Sequence, residues 1–302
     1  MKRNILVTGA NGQLGRCLQD MWAFSKLHDN VFWTDYDELD ITDQIAVNKF
    51  IHYNEIDIVI NCAAYTNVDK AEDDYNNAYK LNALGPAYLA EAIQNRNGFM
   101  IHISTDYVFG NKQLYNTPFG TYTKGLEPSS VYGKTKLDGE EKIFWNCKKF
   151  VIIRTAWLYS EYGNNFMKTM LKLFDTKDEI KVVYDQVGSP TYAGDLACAI
   201  IDIYKKYALL NDKFDMYGVY NYSNEGVCSW YDFAKAIQDI YGYKKCRINP
   251  CLSSEFESKV DRPHYSVLDK SKIKKTFFIS VPYWRESLEM AMDSYFKQNK
   301  NI

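Results

Sequence analysis

Tyr132 and Lys136 stand four residues apart in the run Tyr132-Gly133-Lys134-Thr135-Lys136. On a helix this spacing puts a phenol and an ammonium on one face. A phenol with a pKa of ~10 is a weak acid at neutral pH. A cation beside it stabilises the anion and brings that pKa towards the working range, which makes the pair a candidate proton donor. The chain holds 25 tyrosines, so surface decoration alone also produces such a spacing. Two other stretches raise its standing. Gly9-Ala10-Asn11-Gly12-Gln13-Leu14-Gly15 has the GxxGxxG form of a nucleotide loop, and Ser104-Thr105-Asp106-Tyr107 ends a later apolar run. Together the three point to reduction of a carbonyl or a closely related chemistry.

Each of these residues needs an element to hold it. Ile5-Leu6-Val7 is a short apolar run ending at Gly9, hence a buried strand, and a helix is expected over 12–24. Further strands are expected at 31–33, 56–60, 99–104 and 150–154. Helices are expected at 43–53, 69–95 and 132–146, with a long loop over 106–127. Strands alternating with helices make a parallel sheet covered on both faces, and right-handed crossovers wind it into a Rossmann-type doubly wound α/β fold. Ligands on such sheets bind beyond the carboxyl ends of the strands. Gly9, Asp35, Ala63, Ser104, Thr105 and Thr155 all fall there.

After Arg154 the pattern loosens. A strand is expected at 180–183, a polar loop at 185–191, helices at 194–207 and 230–241, a strand at 217–222 and a last helix from about 282. Residues 1–154 read as a dinucleotide-binding domain. Residues 155–302 read as mainly a smaller C-terminal substrate-binding lobe, with some segments returning to the sheet.

In the glycine loop, the strand–loop–helix context lets a pyrophosphate approach the helix N-terminus. An ordinary βα turn is the competing reading. Asp35 ends the second strand, 20 residues after Gly15, where an acid holds ribose hydroxyls and disfavours a 2′-phosphate. Arg16, directly after the loop, favours that phosphate instead, so NADH and NADPH both stay open. Asp40 is a candidate for the adenine amino group, or equally a helix N-terminal turn residue.

The bulk properties exclude other classes. The 302 residues carry a net charge of −2, with no basic stripe for nucleic acid and no apolar run of the ~20 residues that spans a bilayer. A strand begins almost at the N-terminus, so no signal peptide is expected and a cytoplasmic protein is the simplest reading. The seven cysteines include no CxxC, and Cys246 and Cys251 lack a second pair to complete a zinc site. No metal is expected, and Cys62 reads as a small buried hydrophobe.

The chain resembles the extended short-chain dehydrogenase/reductases, and within them the dTDP-4-dehydrorhamnose reductase family. The resemblance spans nearly all of it. Residues 61–72 (Asn-Cys-Ala-Ala-Tyr-Thr-Asn-Val-Asp-Lys-Ala-Glu), 154–159 and 163–166, together with 185–191 (Asp-Gln-Val-Gly-Ser-Pro-Thr), carry it beside the shared loop and Tyr/Lys pair. The resemblance implies that Thr105, Tyr132 and Lys136 are catalytic. It places NADPH or NADH against Gly9, Asn11, Gly12, Gln13, Leu14, Gly15, Asp35, Asp40, Ile41, Ala63, Ala64, Tyr65, Ile103, Tyr132 and Lys136. It places a nucleotide sugar against Thr105, Asp106, Trp157, Asn165, Gln186 and Arg262. Trp157 is otherwise plain core, Thr105 otherwise caps its own turn, and Arg262 is otherwise a surface ion pair. The implied reaction reduces the C4 keto group of dTDP-4-dehydro-L-rhamnose for polysaccharide synthesis.

One departure concerns assembly. Some members of the family dimerise through magnesium held by glutamates, and two of the matching positions here are Cys17 and Gly194, poor ligands for a hard cation. A monomer or weak homodimer without a magnesium bridge is expected. Two alternatives stay open: another nucleotide-sugar epimerase or dehydratase of the same fold, and a non-catalytic NADP-binding regulatory subunit. A dehydratase would carry Asp-Glu after the threonine, whereas Asp106-Tyr107 follow Thr105 here.

Overall fold

A computed structural model describes residues 2–111, 117–242, 245–255 and 258–299. Residues 112–116 of the expected loop lie outside the described residues. The chain runs β1 (Asn4–Thr8), α1 (Gln13–Phe24), β2 (Asn30–Thr34), α2 (Gln44–Tyr53), β3 (Ile58–Asn61), α3 (Val68–Ala71), α4 (Tyr75–Tyr79), a π turn (Lys80–Leu84) and α5 (Gly85–Asn95). It continues through β4 (Phe99–Thr105), a 3₁₀ turn (Asp106–Phe109), α6 (Val131–Asn146), β5 (Phe150–Thr155), β6 (Leu158–Tyr159), α7 (Phe166–Thr176), β7 (Glu179–Val183), β8 (Val187–Gly188) and β9 (Thr191–Tyr192). It ends with α8 (Ala193–Leu210), β10 (Gly218–Asn221), β11 (Cys228–Ser229), α9 (Trp230–Tyr241), β12 (Arg247–Cys251), α10 (Ser271–Phe277) and α11 (Trp284–Asn299).

Six parallel strands form the main sheet in the order β10-β5-β4-β3-β1-β2. Their apolar residues point both ways. Ile5, Val7, Ile58, Ile60, Ile101 and Ile153 meet α1 and α8 on one face. Leu6, Val59, Met100 and Ile152 meet α2, α5 and α6 on the other. Burial on both faces is what makes these strands near-continuous hydrophobic runs. The chain leaves β1 for β2 on one side and returns to β3 on the other, so a crevice opens between β1 and β3.

The second half of the chain divides its contributions. β10 adds the sixth strand beside β5, and α8 and α10 pack into the sheet's own core. A separate core forms from α7, α9 and α11 around Phe174, Phe233 and Leu288, with the parallel pair β7/β12 at its edge.

Three departures from the sequence expectations have local causes. The expected single helix over 69–95 is broken into α3, α4, a π turn and α5. Pro86, at the start of α5, lacks an N–H, and its ring crowds the carbonyl four residues back, which a wider turn relieves. The polar loop at 185–191 contains the short strands β8 and β9, each paired with a distant segment. β12 is not anticipated because Pro250 interrupts its apolar pattern, and it is accommodated on a two-stranded edge.

Candidate active site

A cleft of roughly 900 Å³ runs along the carboxyl edge of the sheet and joins the glycine loop to Tyr132 and Lys136. Its floor begins at Gly9, which turns with φ +67° at the β1/β3 crevice. A Cβ there would lie 2.6 Å from the Ala63 backbone nitrogen, so only glycine lets the two strand ends approach. The loop delivers the N-terminus of α1 into the cleft. No side chain caps that end and its first turn carries no acid. Uncapped N–H groups at the positive end of a helix fit a pyrophosphate, so the residues present suit a dinucleotide.

Beyond β2, Asp35 accepts from the Asn11 backbone N–H (2.9 Å) with one oxygen and from the Tyr36 N–H (2.9 Å) with the other. It thereby ties the second strand's end to the glycine loop. Asp40 accepts from the Thr42 backbone N–H and hydroxyl, a turn of its own making, while still lining the cleft. Arg16 turns away: its guanidinium lies 5.7 Å from the centre of the Tyr162 ring and is not part of the cleft wall.

The Tyr132 end of the cleft is set by α6. Ser130 caps this helix by accepting from the Gly133 N–H (3.0 Å). Gly133 rests on the 3₁₀ turn, where a Cβ would meet the Tyr107 carbonyl oxygen at 2.6 Å. This close approach brings Tyr132 against Thr105 and Tyr107, and the two tyrosine rings meet edge to face at 5.4 Å. The Thr105 hydroxyl donates to Asp106 Oδ1 (3.0 Å) and also accepts from the Tyr107 N–H (3.3 Å), so it caps its turn and faces the cleft at once.

Tyr132 differs from the expectation for its electrostatics. Burial pushes its phenol well above the ordinary value, with Asp106 and Tyr107 adding to the rise and a hydrogen bond with Thr105 opposing it. Lys136 is not what sets it. The lysine ammonium is buried and donates to the Ile103 carbonyl (2.7 Å), with His102 Nε2 at 3.4 Å. Tyr132 is therefore protonated at neutral pH, the state a proton donor needs. Burial lowers Lys136 to about 8, against the pull of Glu140 and Cys62. Burial also raises Asp106 to about 7, opposed by hydrogen bonding with Thr105 and Ser266, and its Oδ2 has no close hydrogen-bond partner among the described residues.

On the far wall, Trp157 adopts φ +50°, a strained position for a bulky residue. Its ring stacks on Trp230 at 3.6 Å and 9° between planes. Asn165 caps α7 by accepting from the Lys168 N–H, and its amide donates to Gln13 Oε1 (2.9 Å), which links the glycine loop to the opposite wall. Arg262 lines the cleft while paired with Asp69 at 2.6 Å. The ion-pair reading and the pocket reading of this arginine describe the same place.

All the expected cofactor-side residues except Tyr65, and all the expected sugar-side residues except Gln186, line this one cleft. Tyr65 binds its backbone N–H to Asn82 and its hydroxyl to Asp74. Gln186 is buried and donates to Ser253 Oγ (2.9 Å). Cys62, expected as a small buried hydrophobe, packs against the sheet's core and also borders the cleft. Sequence reasoning passed over a buried ion pair beneath the site: Arg154 grips Glu140 through Nε (2.9 Å) and Nη2 (2.6 Å), and Ser104 donates to the same carboxylate. The available signal was Glu140 itself, four residues beyond Lys136 on the same helix face.

A Rossmann-type sheet with Thr, Tyr and Lys converging beside a glycine loop defines an oxidoreductase of the short-chain dehydrogenase/reductase class. The model of the RmlD substrate binding domain family matches residues 2–296. A dTDP-4-dehydrorhamnose reductase of Aggregatibacter actinomycetemcomitans is 39% identical over 290 residues, covering 94% of this chain and 97% of its own. The crystal structure of a dTDP-4-dehydrorhamnose reductase from Clostridium acetobutylicum is 42% identical with a TM-score of 0.89, covering 96% of this chain and 99% of that one. That of Bacillus anthracis, solved in complex with NADP, is 37% identical with a TM-score of 0.87, covering 97% and 100%. The chain belongs to this family, that of the dTDP-4-dehydrorhamnose reductases.

Proposed function

We propose that this chain reduces the C4 keto group of dTDP-4-dehydro-L-rhamnose (dTDP-6-deoxy-L-lyxo-4-hexulose) to dTDP-L-rhamnose, for rhamnose-containing polysaccharides. The nicotinamide of NADPH or NADH supplies the hydride that the C4 carbon accepts. One observation carries the reading: the buried phenol of Tyr132 lines the same cleft as Thr105, Lys136 and the glycine loop. Tyr132 gives its proton to the C4 oxygen as negative charge grows there. Thr105 orients that oxygen with its hydroxyl. Lys136 supplies positive charge below the pair and holds the cofactor's ribose. Donors preorganised around a developing oxyanion supply the larger share of such catalysis.

The orphaned Asp106 Oδ2 suits a sugar hydroxyl, since a buried carboxylate oxygen without a partner is costly. Trp157 gives the sugar ring a flat wall, and Arg262 exchanges Asp69 for a diphosphate oxygen. Residues 1–154 carry most of the cofactor surface and 155–302 most of the sugar surface. The reaction belongs in the cytoplasm; no helix among the described residues is long and apolar enough to cross a membrane. The protein acts as a monomer or weak homodimer without a magnesium bridge. Cys17 lies in the core, and a Cβ at Gly194 would strike the Tyr192 ring at 2.5 Å.

The test is absorbance of NADH and NADPH with dTDP-6-deoxy-L-lyxo-4-hexulose. The reading predicts one equivalent oxidised per sugar. An epimerase would consume none, a regulatory subunit would bind cofactor without turnover, and no absorbance loss with either cofactor overturns the reading.

A further inference from the structure

His102 sits in the middle of β4, fully buried directly beneath the catalytic end of α6. Its two ring nitrogens face different partners, and the surroundings fix which one carries the proton. Asn61 Oδ1 accepts from the Ala63 backbone N–H (3.0 Å) and from the Thr8 hydroxyl (2.7 Å). A backbone amide can only donate, so the oxygen of Asn61 is pinned and its NH₂ group turns to His102 Nδ1 at 3.0 Å. Nδ1 must then accept. Burial holds this histidine well below its ordinary pKa, with Lys136 pushing the same way, so the ring is neutral and its one proton is on Nε2.

Nε2–H points at Lys136 Nζ, 3.4 Å away. That is long for a hydrogen bond. An ammonium has three donors and no lone pair, so a second donor facing it is repelled. A neutral amine would accept from it. The ammonium also donates to the Ile103 carbonyl (2.7 Å), which favours its charge, and the titratable groups facing it are Cys62 at the exit of β3 and Glu140 on its own helix, whose carboxylate is taken up by Arg154 from β5 and Ser104 from β4. Glu140 favours the charged lysine, and its engagement with Arg154 weakens that support.

We propose that His102 is a positioning residue for the reduction: its Nε2–H, locked by Asn61, faces Lys136 and adds to the effect of burial in setting the pH at which that lysine gives up its charge. This rests on the reductase reading for its purpose but not for its geometry. The lysine's lowered value, about 8, puts that loss just above neutrality. Below this pH Lys136 is charged and supports the reaction; as pH rises through it, kcat/KM falls.

Two measurements test the proposal. The protein has four histidines, His28, His52, His102 and His264, so a His102→Gln spectrum assigns the His102 ring in ¹⁵N NMR of the cofactor-free protein. The expected signal is a neutral Nε2–H tautomer that persists from pH 6 to 8 (a range of about two units around the ordinary histidine value). A Nδ1–H tautomer or an imidazolium overturns the proposal, whatever the enzyme's substrate proves to be. In His102→Gln the amide can turn its carbonyl to Lys136. The Lys136 ¹⁵Nζ titration in the cofactor-free protein, and the alkaline limb of kcat/KM, should both move up by about one pH unit, the scale on which one hydrogen bond shifts a neighbouring group. A change in kcat with both titrations unmoved would show a merely structural histidine and overturn it. Asn61→Asp is the second variant: its carboxylate demands Nδ1–H, so the tautomer should reverse and the Lys136 titration rise. A Lys136 titration unchanged despite that reversal would equally overturn the proposal.

Discussion

The cofactor wall and the sugar wall of the cleft are held in place by different means. On the wall proposed for the cofactor, Gly9, Ala63 and Ile103 lie at or just beyond the carboxyl ends of β1, β3 and β4, and their spacing is fixed by the parallel register of the sheet. On the sugar wall, Trp157, Asn165 and Arg262 come from loops and turns, and side chains fix them: Trp157 by its stack on Trp230, Asn165 by Gln13, Arg262 by Asp69. A wall set by backbone register resists single substitutions outside its glycines. A wall set by side-chain contacts can be moved by one, and it is also the wall proposed to face the sugar.

Substitutions on the two walls should therefore fail differently. Tyr132→Phe removes the proton donor from the rigid side and should lower kcat about 10²–10⁴-fold while cofactor binding, followed by quenching of protein fluorescence, stays near wild type. Equal loss of binding and turnover would mean that the ring is structural. Arg262→Gln should leave kcat nearly intact and raise the KM for the nucleotide sugar about tenfold to a hundredfold, the size of a lost charge-assisted contact. An unchanged KM would assign this arginine to its pair with Asp69 alone. Gly188→Ala would put a Cβ 2.7 Å from Trp157 Cε2 and 2.5 Å from Ser266 Oγ. Overpacking of this kind costs about 1–3 kcal/mol in thermal unfolding, and displacement of the indole should raise the sugar's KM with the cofactor's unchanged. Gln186→Ala should be the mildest, since its amide is spent on Ser253 outside the cleft. A large rise in KM there would show that the polar loop rearranges around the sugar.

How far the sequence could be read follows the same division. The sheet, the crevice and the cofactor wall were legible because buried parallel strands are apolar runs and the loop announces itself by glycine spacing. Tyr132 and Lys136 were legible as a pair on one helix face. Their electrostatics were not: spacing along a helix says nothing of the carbonyl of Ile103 or the ring of His102, which tertiary packing supplies. The helix expected over 69–95 hid a π turn because apolar spacing marks a helix without distinguishing one wider turn within it. Tyr65 and Gln186 were placed by resemblance alone, and neither lines the cleft. β12 was not foreseen because a proline in an apolar run normally argues against a strand, except at an edge.

The most direct test of the reduction is to run it with nicotinamide cofactor carrying deuterium at the transferable C4 position and to read the sugar product by NMR. The account predicts one deuterium at C4 of the hexose, with solvent hydrogen on the new hydroxyl. Deuterium kept in the cofactor, or a sugar C4 hydrogen drawn from solvent, would contradict it.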